Sequence, residues 1–305
     1  MGIDHVRNEA LALGIISSVL LVLLIIYFIH TNLILFVKIW QKRSNAIAKT
    51  QILSPRNICH VCVLLYILCQ IVFMAWVFYY FSILNQEDPK LNDFTYVAWY
   101  EFINLFDTSI FSFMMLLTIY ALRTQFDTLI TVAECGWVVK AFDSCWVTGI
   151  ALLSIHTLFF FLSTLFIMTI PFSVFGDFFV VVFQMQTISS NCSLMLVFSF
   201  VVASFILILL FMRKVFAVYE AKESHEIRIR TYSCGITIIV LTFVRLTLCL
   251  YHIIYYSKDF TGQNLGLFNT NTTFFIDGLD FGVVIFLKYV PTFLMILMLN
   301  KPRLW

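Results

Sequence analysis

Six ionisable side chains stand within or at the mouths of long apolar runs of this 305-residue sequence: Glu101, Asp107, Arg245, Asp277, Asp280 and Lys288. Groups of these types do three kinds of work in an apolar medium. They pair with one another, relay protons, or hold a charged ligand. Catalysis by bond cleavage is not expected, because no nucleophile motif or phosphate-cradling glycine loop accompanies them and only His156 joins them within an apolar run. The stretch Cys59-His60-Val61-Cys62 has the spacing of half a zinc site, but no second ligand pair follows it. Neither a metal nor a cofactor is expected.

These residues need elements to position them, and composition says which. Hydrophobic residues make up 61% of the chain, charged residues only 12%, and mean hydropathy is +0.95. A soluble domain carries about twice that charge to cover its surface. Lipid must therefore act as solvent for much of this one. The small net charge of +2 points to no nucleic-acid partner. Seven apolar segments reach the roughly 20 residues that a bilayer-crossing helix needs. They run over about 11–37, 59–84, 96–122, 145–170, 192–212, 232–256 and 275–299. The first lacks a small-residue cleavage pattern and reads as a signal anchor. Phe172–Ile188 is apolar at its centre but short, and flanked by Pro171, Gly176, Asp177, Gln184 and Gln186. It is expected to lie at the interface, not to span.

Basic residues give the orientation. Fourteen of the nineteen fall in the loops after spans one, three and five and in the tail, among them Lys38, Lys140, Arg213, Lys214, Lys222, Arg228, Arg230 and Arg303. That side is expected to be the cytoplasm. The fold expected is an all-α membrane protein, a seven-transmembrane helix bundle of one domain, with its N-terminus outside and its C-terminus cytoplasmic. Asp107, Arg245 and Lys288 then sit at similar depth in helices three, six and seven, about 15–18 Å from the outer face at helical rise. Glu101, Asp277 and Asp280 lie nearer that face.

Two readings of this depth compete. One is a ligand pocket between helices three, six and seven. The other is a buried ion-pair network, Asp107 with Arg245 or with Lys288, that fixes how the helices meet. Pro291 interrupts the backbone hydrogen bonding of the seventh helix and is a candidate hinge. His156 stands alone in its run and is expected to be structural. Most of the eight cysteines sit in apolar runs and read as small hydrophobes, with no disulfides expected. Asn191-Cys192-Ser193 and Asn271-Thr272-Thr273 are possible glycosylation sites on the outer side, near helix starts. The basic stretch Arg213–Arg230, with Lys214, Lys222 and Arg228, is a candidate surface for a cytoplasmic protein.

Three segments carry a family resemblance. Leu210-Phe211-Met212-Arg213-Lys214-Val215-Phe216, followed by Arg228-Ile229-Arg230-Thr231-Tyr232-Ser233 and Phe243-Val244-Arg245, is one. Tyr289-Val290-Pro291-Thr292-Phe293-Leu294-Met295-Ile296-Leu297 with Lys301-Pro302-Arg303 is the second, and Phe36-Val37-Lys38-Ile39-Trp40-Gln41 the third. Together, about a third of the chain resembles the family that unites plant tobamovirus multiplication membrane proteins with animal lysosomal orphan-receptor-like proteins. Span three departs from it, ending Ile119-Tyr120-Ala121-Leu122-Arg123 without the polar exit of that family. The resemblance implies a receptor-like bundle on endolysosomal or vacuolar membranes, acting through cytoplasmic partners. Rhodopsin-like activation motifs are absent: Arg123 follows no acid, and Pro291 follows no asparagine. Nematode-type chemoreceptors tolerate such departures.

The functional expectation is a G-protein-coupled-receptor-like protein. It would sense an unidentified ligand between helices three, six and seven, and signal through cytoplasmic loops. The alternative is an organelle-membrane scaffold recruiting soluble complexes, and after it a channel or transporter. The expected partners are the lipid bilayer, that ligand and a cytoplasmic signalling or scaffold protein. The expected location is the plasma membrane or an endolysosomal or vacuolar membrane.

Overall fold

A computed structural model describes residues 15–16, 18–30, 55–84, 94–125, 136–169, 172–218, 222–259 and 278–299. Among them the protein is all helix. The helices are α1 (Ser18–His30), α2 (Pro55–Leu84), α3 (Phe94–Gln125), α4 (Gly136–Thr169), α5 (Phe172–Val218), α6 (Lys222–Asp259) and α7 (Gly278–Leu299). Five of them, α2 to α6, are long and apolar enough to cross a membrane. The described parts of α1 and α7 carry shorter apolar stretches, Ser18–His30 and Leu287–Met298.

Contacts between neighbours run in opposite directions along the chain, so successive helices are antiparallel. Between α2 and α3, Cys59 meets Thr118, Tyr66 meets Phe111, and Gln70 meets Asp107. Between α3 and α4 the pairs are Phe102 with Phe161, Ser109 with Thr157, Leu116 with Trp146, and Arg123 with Asp143. Thr164 with Gln186 and Trp137 with Lys214 set α4 against α5, while Phe198 with Arg245 and Leu209 with Tyr232 set α5 against α6. The last helix returns to the first, through Tyr27 and Phe293 at 4.7 Å.

Helix α3 is the axis of this arrangement. Over Phe106–Thr124, 72% of it is buried inside the protein, against 22% for Gly136–Phe166 of α4 and 28% for Arg228–Tyr251 of α6. The outer helices turn Ile155, Leu158, Phe159, Leu162 and Phe166 of α4, and Ile236, Val240 and Phe243 of α6, away from the core. A soluble protein would have polar residues there. Hydroxyls on these faces are satisfied by their own helix: Ser154 donates to the Ile150 carbonyl, Thr237 to Ser233 and Thr247 to Phe243, at 2.8–3.1 Å. Close approach of α5 and α6 is set by Gly235. A Cβ there would come within 2.9 Å of Leu209 Cδ2.

Two helices differ from the sequence reading. α4 begins at Gly136, well before Cys145, so Lys140 and Asp143 belong to its first turns and not to a loop. Those charges interrupt the apolar count but not the helix, whose hydrogen bonds need no apolar side chains. Phe172–Ile188 is neither a separate interfacial segment nor an eighth span: it is the first third of α5, one continuous helix of 47 residues, about 70 Å long. Asn191 consequently lies inside α5 and not near its start.

Candidate functional site: a polar centre between α2, α3, α6 and α7

Asp107 is 1% exposed, about midway along α3, and both of its carboxylate oxygens are engaged. Gln70 of α2 donates its Nε2 to Oδ1, and Lys288 of α7 donates its Nζ to Oδ2. The Gln70 carbonyl oxygen in turn accepts the Tyr289 hydroxyl at 2.9 Å. A single chain of polar contacts, Tyr289 to Gln70 to Asp107 to Lys288, thus ties three helices together. All four residues are buried. A carboxylate and an ammonium taken out of water cost several kcal/mol each, and mutual attraction offsets this only where further hydrogen bonds satisfy the remaining lone pairs. Gln70 supplies that bond.

Sequence allowed Asp107 to pair with Arg245 or with Lys288, and the structure selects Lys288. Arg245 of α6 lies level with α3 one helical turn beyond Asp107. Its guanidinium rests on the ring of Phe111, four residues beyond Asp107, at 4.8 Å, and on the ring of Phe198 of α5 at 4.5 Å. Its Nη1 is buried without a hydrogen-bond partner. Tyr66, fully buried one turn from Gln70 on α2, packs on the other side of this layer against Phe111 at 5.8 Å. Pro291 follows Lys288 by three residues. It removes one backbone donor, so the Leu287 carbonyl loses its usual partner, while the Thr292 hydroxyl reinforces the Lys288 carbonyl at 2.7 Å. α7 remains one helix through this point.

The antiparallel order gathers Arg123, Lys140, Arg213, Lys214, Arg228 and Arg230 at one end of the bundle, while Lys258 stands at the opposite end of α6. Arg123 faces both oxygens of Asp143, with Nε 3.0 Å from Oδ1 and Nη2 3.1 Å from Oδ2. Lys214 sits over the Trp137 ring at 5.7 Å. Arg230 donates from Nη2 to the Leu297 carbonyl at 2.9 Å, and so caps the last turn of α7, where carbonyls lack helical partners. Arg213, Lys214 and Arg228 are exposed at the same end.

The remaining sequence candidates divide by where they fall. Asp277 and Asn271 lie outside the described residues, and so do the side chains of Glu101 in α3, Asp280 in α7 and Lys222 in α6. His156 is 1% exposed, packs on Phe160 at 4.7 Å, and has no hydrogen-bond partner at either ring nitrogen. It does not join the polar centre. Cys59 is buried against the Thr118 hydroxyl at 3.1 Å, and His60 lies 6.4 Å from the Phe28 ring. No group of three or more His, Cys, Asp or Glu able to hold a metal occurs among the described residues.

Sequence reasoning missed Gln70, Tyr289 and the two phenylalanines beneath Arg245. The first two had a signal. Gln70 is an amide inside an apolar run, which is costly unless it finds a partner, and Tyr289 adjoins Lys288. Nothing distinguishes Phe111 or Phe198 among 34 phenylalanines. The chain matches no family model, no curated protein and no solved structure.

Proposed function

We propose that this membrane protein is a receptor-like bundle of seven spans, whose polar centre senses a ligand and biases the arrangement of its basic end. The observation that carries the reading is the Asp107–Lys288 pair with its Gln70 and Tyr289 partners. It holds α7 to α2 and α3, one turn from the guanidinium of α6. Switching proteins need a discrete contact that a ligand can rearrange, coupled to an element free to take a second position. The pair is such a contact, and α7 with Pro291 is such an element. The basic end faces the cytoplasm in this reading, by the positive-inside rule. Both the plasma membrane and an endolysosomal or vacuolar membrane fit it.

The test is the distance between spin labels at positions 140 and 228, at the starts of α4 and α6, in lipid nanodiscs. Asp107→Asn keeps the shape and removes the charge that holds Lys288. A second distance population should grow about fivefold or more, the low end of usual coupling energies. An unchanged distribution with the fold intact would end the receptor reading.

A scaffold is the second reading, favoured by the exposure of Arg213, Lys214 and Arg228 at one end. It expects charge reversal at these three positions to release a cytoplasmic complex while the label distances stay as they are.

A further inference from the structure

Among the described side chains, the middle of the bundle holds one acid and two bases. Asp107 has given both oxygens to Gln70 and Lys288. Among the described side chains, no carboxylate oxygen is left for Arg245 to pair with directly. An arginine keeps its proton in proteins and presents donors in a planar fork. Here the fork is seated between Phe111 and Phe198, whose faces attract a cation but accept no ordinary hydrogen bond. Nη1 is buried with its hydrogen-bonding capacity unspent. A buried donor without an acceptor, on a cation that shares the Asp107 carboxylate with Lys288 and touches it through space alone, is costly in an apolar surround. The lipid-facing hydroxyls of α4 and α6 contrast with it, since each donates within its own helix.

We propose that Arg245 anchors a site for a monocarboxylate ligand, its guanidinium between the Phe111 and Phe198 rings taking the carboxylate one turn from the Asp107–Lys288 pair. The planar fork matches a carboxylate with two parallel hydrogen bonds, a fit that a spherical halide lacks. Added negative charge here competes with Asp107 for Lys288, which lies within electrostatic reach of Arg245. Binding and loosening of the α3–α7 tie are then one event. The inference rests on the receptor-like reading for the role of the site, and it names the chemical class of that ligand. The carboxylate can come from water or from an amphiphile dissolved in the bilayer.

The experiment is thermal unfolding of the full chain in nanodiscs, in neutral buffer with isethionate as the only anion. Decanoate, decanol, acetate and chloride are each titrated. Decanoate should raise the midpoint saturably, by about 3 °C or more once it is far above its dissociation constant, and decanol should not. If acetate also acts at higher concentration, the site opens to water. If decanoate alone acts, the ligand arrives through the membrane; both outcomes support the site. Arg245→Lys keeps the charge and loses the fork, and it should weaken the decanoate response about tenfold or more. Arg213→Gln, away from the site, should leave it alone.

Decanol equal to decanoate, chloride alone matching decanoate, or an unchanged response in Arg245→Lys would each overturn the proposal. The wild-type comparison of decanoate with decanol stands even if the variant does not fold. Failure of the receptor reading looks different: decanoate still stabilises, but neither it nor Asp107→Asn moves the spin labels.

Discussion

α3 and α4 are adjacent, antiparallel and similar in length, at 32 and 34 residues, yet the buried faces of α3 and the outward face of α4 handle polarity differently. Along α3 the polar groups reach outward to other helices: Asp107 to α2 and α7, Ser109 to α4, Thr118 to α2. On the outward face of α4, Thr148 and Ser154 turn back on carbonyls of their own helix. Burial explains the difference. A helix surrounded by protein can spend polar groups on specifying its neighbours. One facing lipid must satisfy them locally, because hydrocarbon offers no partner. Trp146 marks the boundary, stacking on Tyr120 at 4.6 Å and donating across the helix interface to the Leu116 carbonyl.

The contrast predicts a graded set of mutational costs. Lys288→Met leaves the Asp107 carboxylate buried without its counter-charge, and should cost about 3–5 kcal/mol in reversible unfolding. The double variant Lys288→Met with Asp107→Leu should recover most of that loss. A double variant no better than the single one would mean that the pair is not what makes α3 distinct. Next in size is Gly235→Ala, which drives a methyl into Leu209 at the α5–α6 contact. It should cost about 1–3 kcal/mol, relieved by Leu209→Val. Smallest are Ser154→Ala and Thr237→Val, which remove hydroxyls bonded within their own helices and should change stability by less than about 0.5 kcal/mol. A larger effect would show that these faces meet protein, not lipid.

The sequence exposed the polar centre only as far as charge could. Asp107, Arg245 and Lys288 stood out because ionisable groups are rare in apolar runs, and a helical count placed them at one depth. Their pairing was not legible, since it depends on how α6 and α7 are rotated about their axes, and apolar residues all round each helix leave no stripe to fix that rotation. Gln70 and Tyr289 stayed hidden because neither carries charge. Helix limits failed for a related reason. Hydropathy measures what lipid tolerates, whereas a helix ends only where its backbone hydrogen bonding does. Lys140 and Asp143 therefore shortened α4 on paper, and Asp177, Gln184 and Gln186 seemed to divide α5.

The unbroken run of α5 has a mechanical consequence. A single rod cannot move at one end alone, and Phe198, under the Arg245 guanidinium, sits near its middle. Taken as the fulcrum, that residue leaves arms of about 39 Å toward Phe172 and about 30 Å toward Val218 at helical rise. A tilt of about 5° about that point would swing both tips by roughly 3 Å in opposite directions, by the same geometry. Whatever tilts α5 about the ring beneath Arg245 thereby moves its two ends together and in opposite directions.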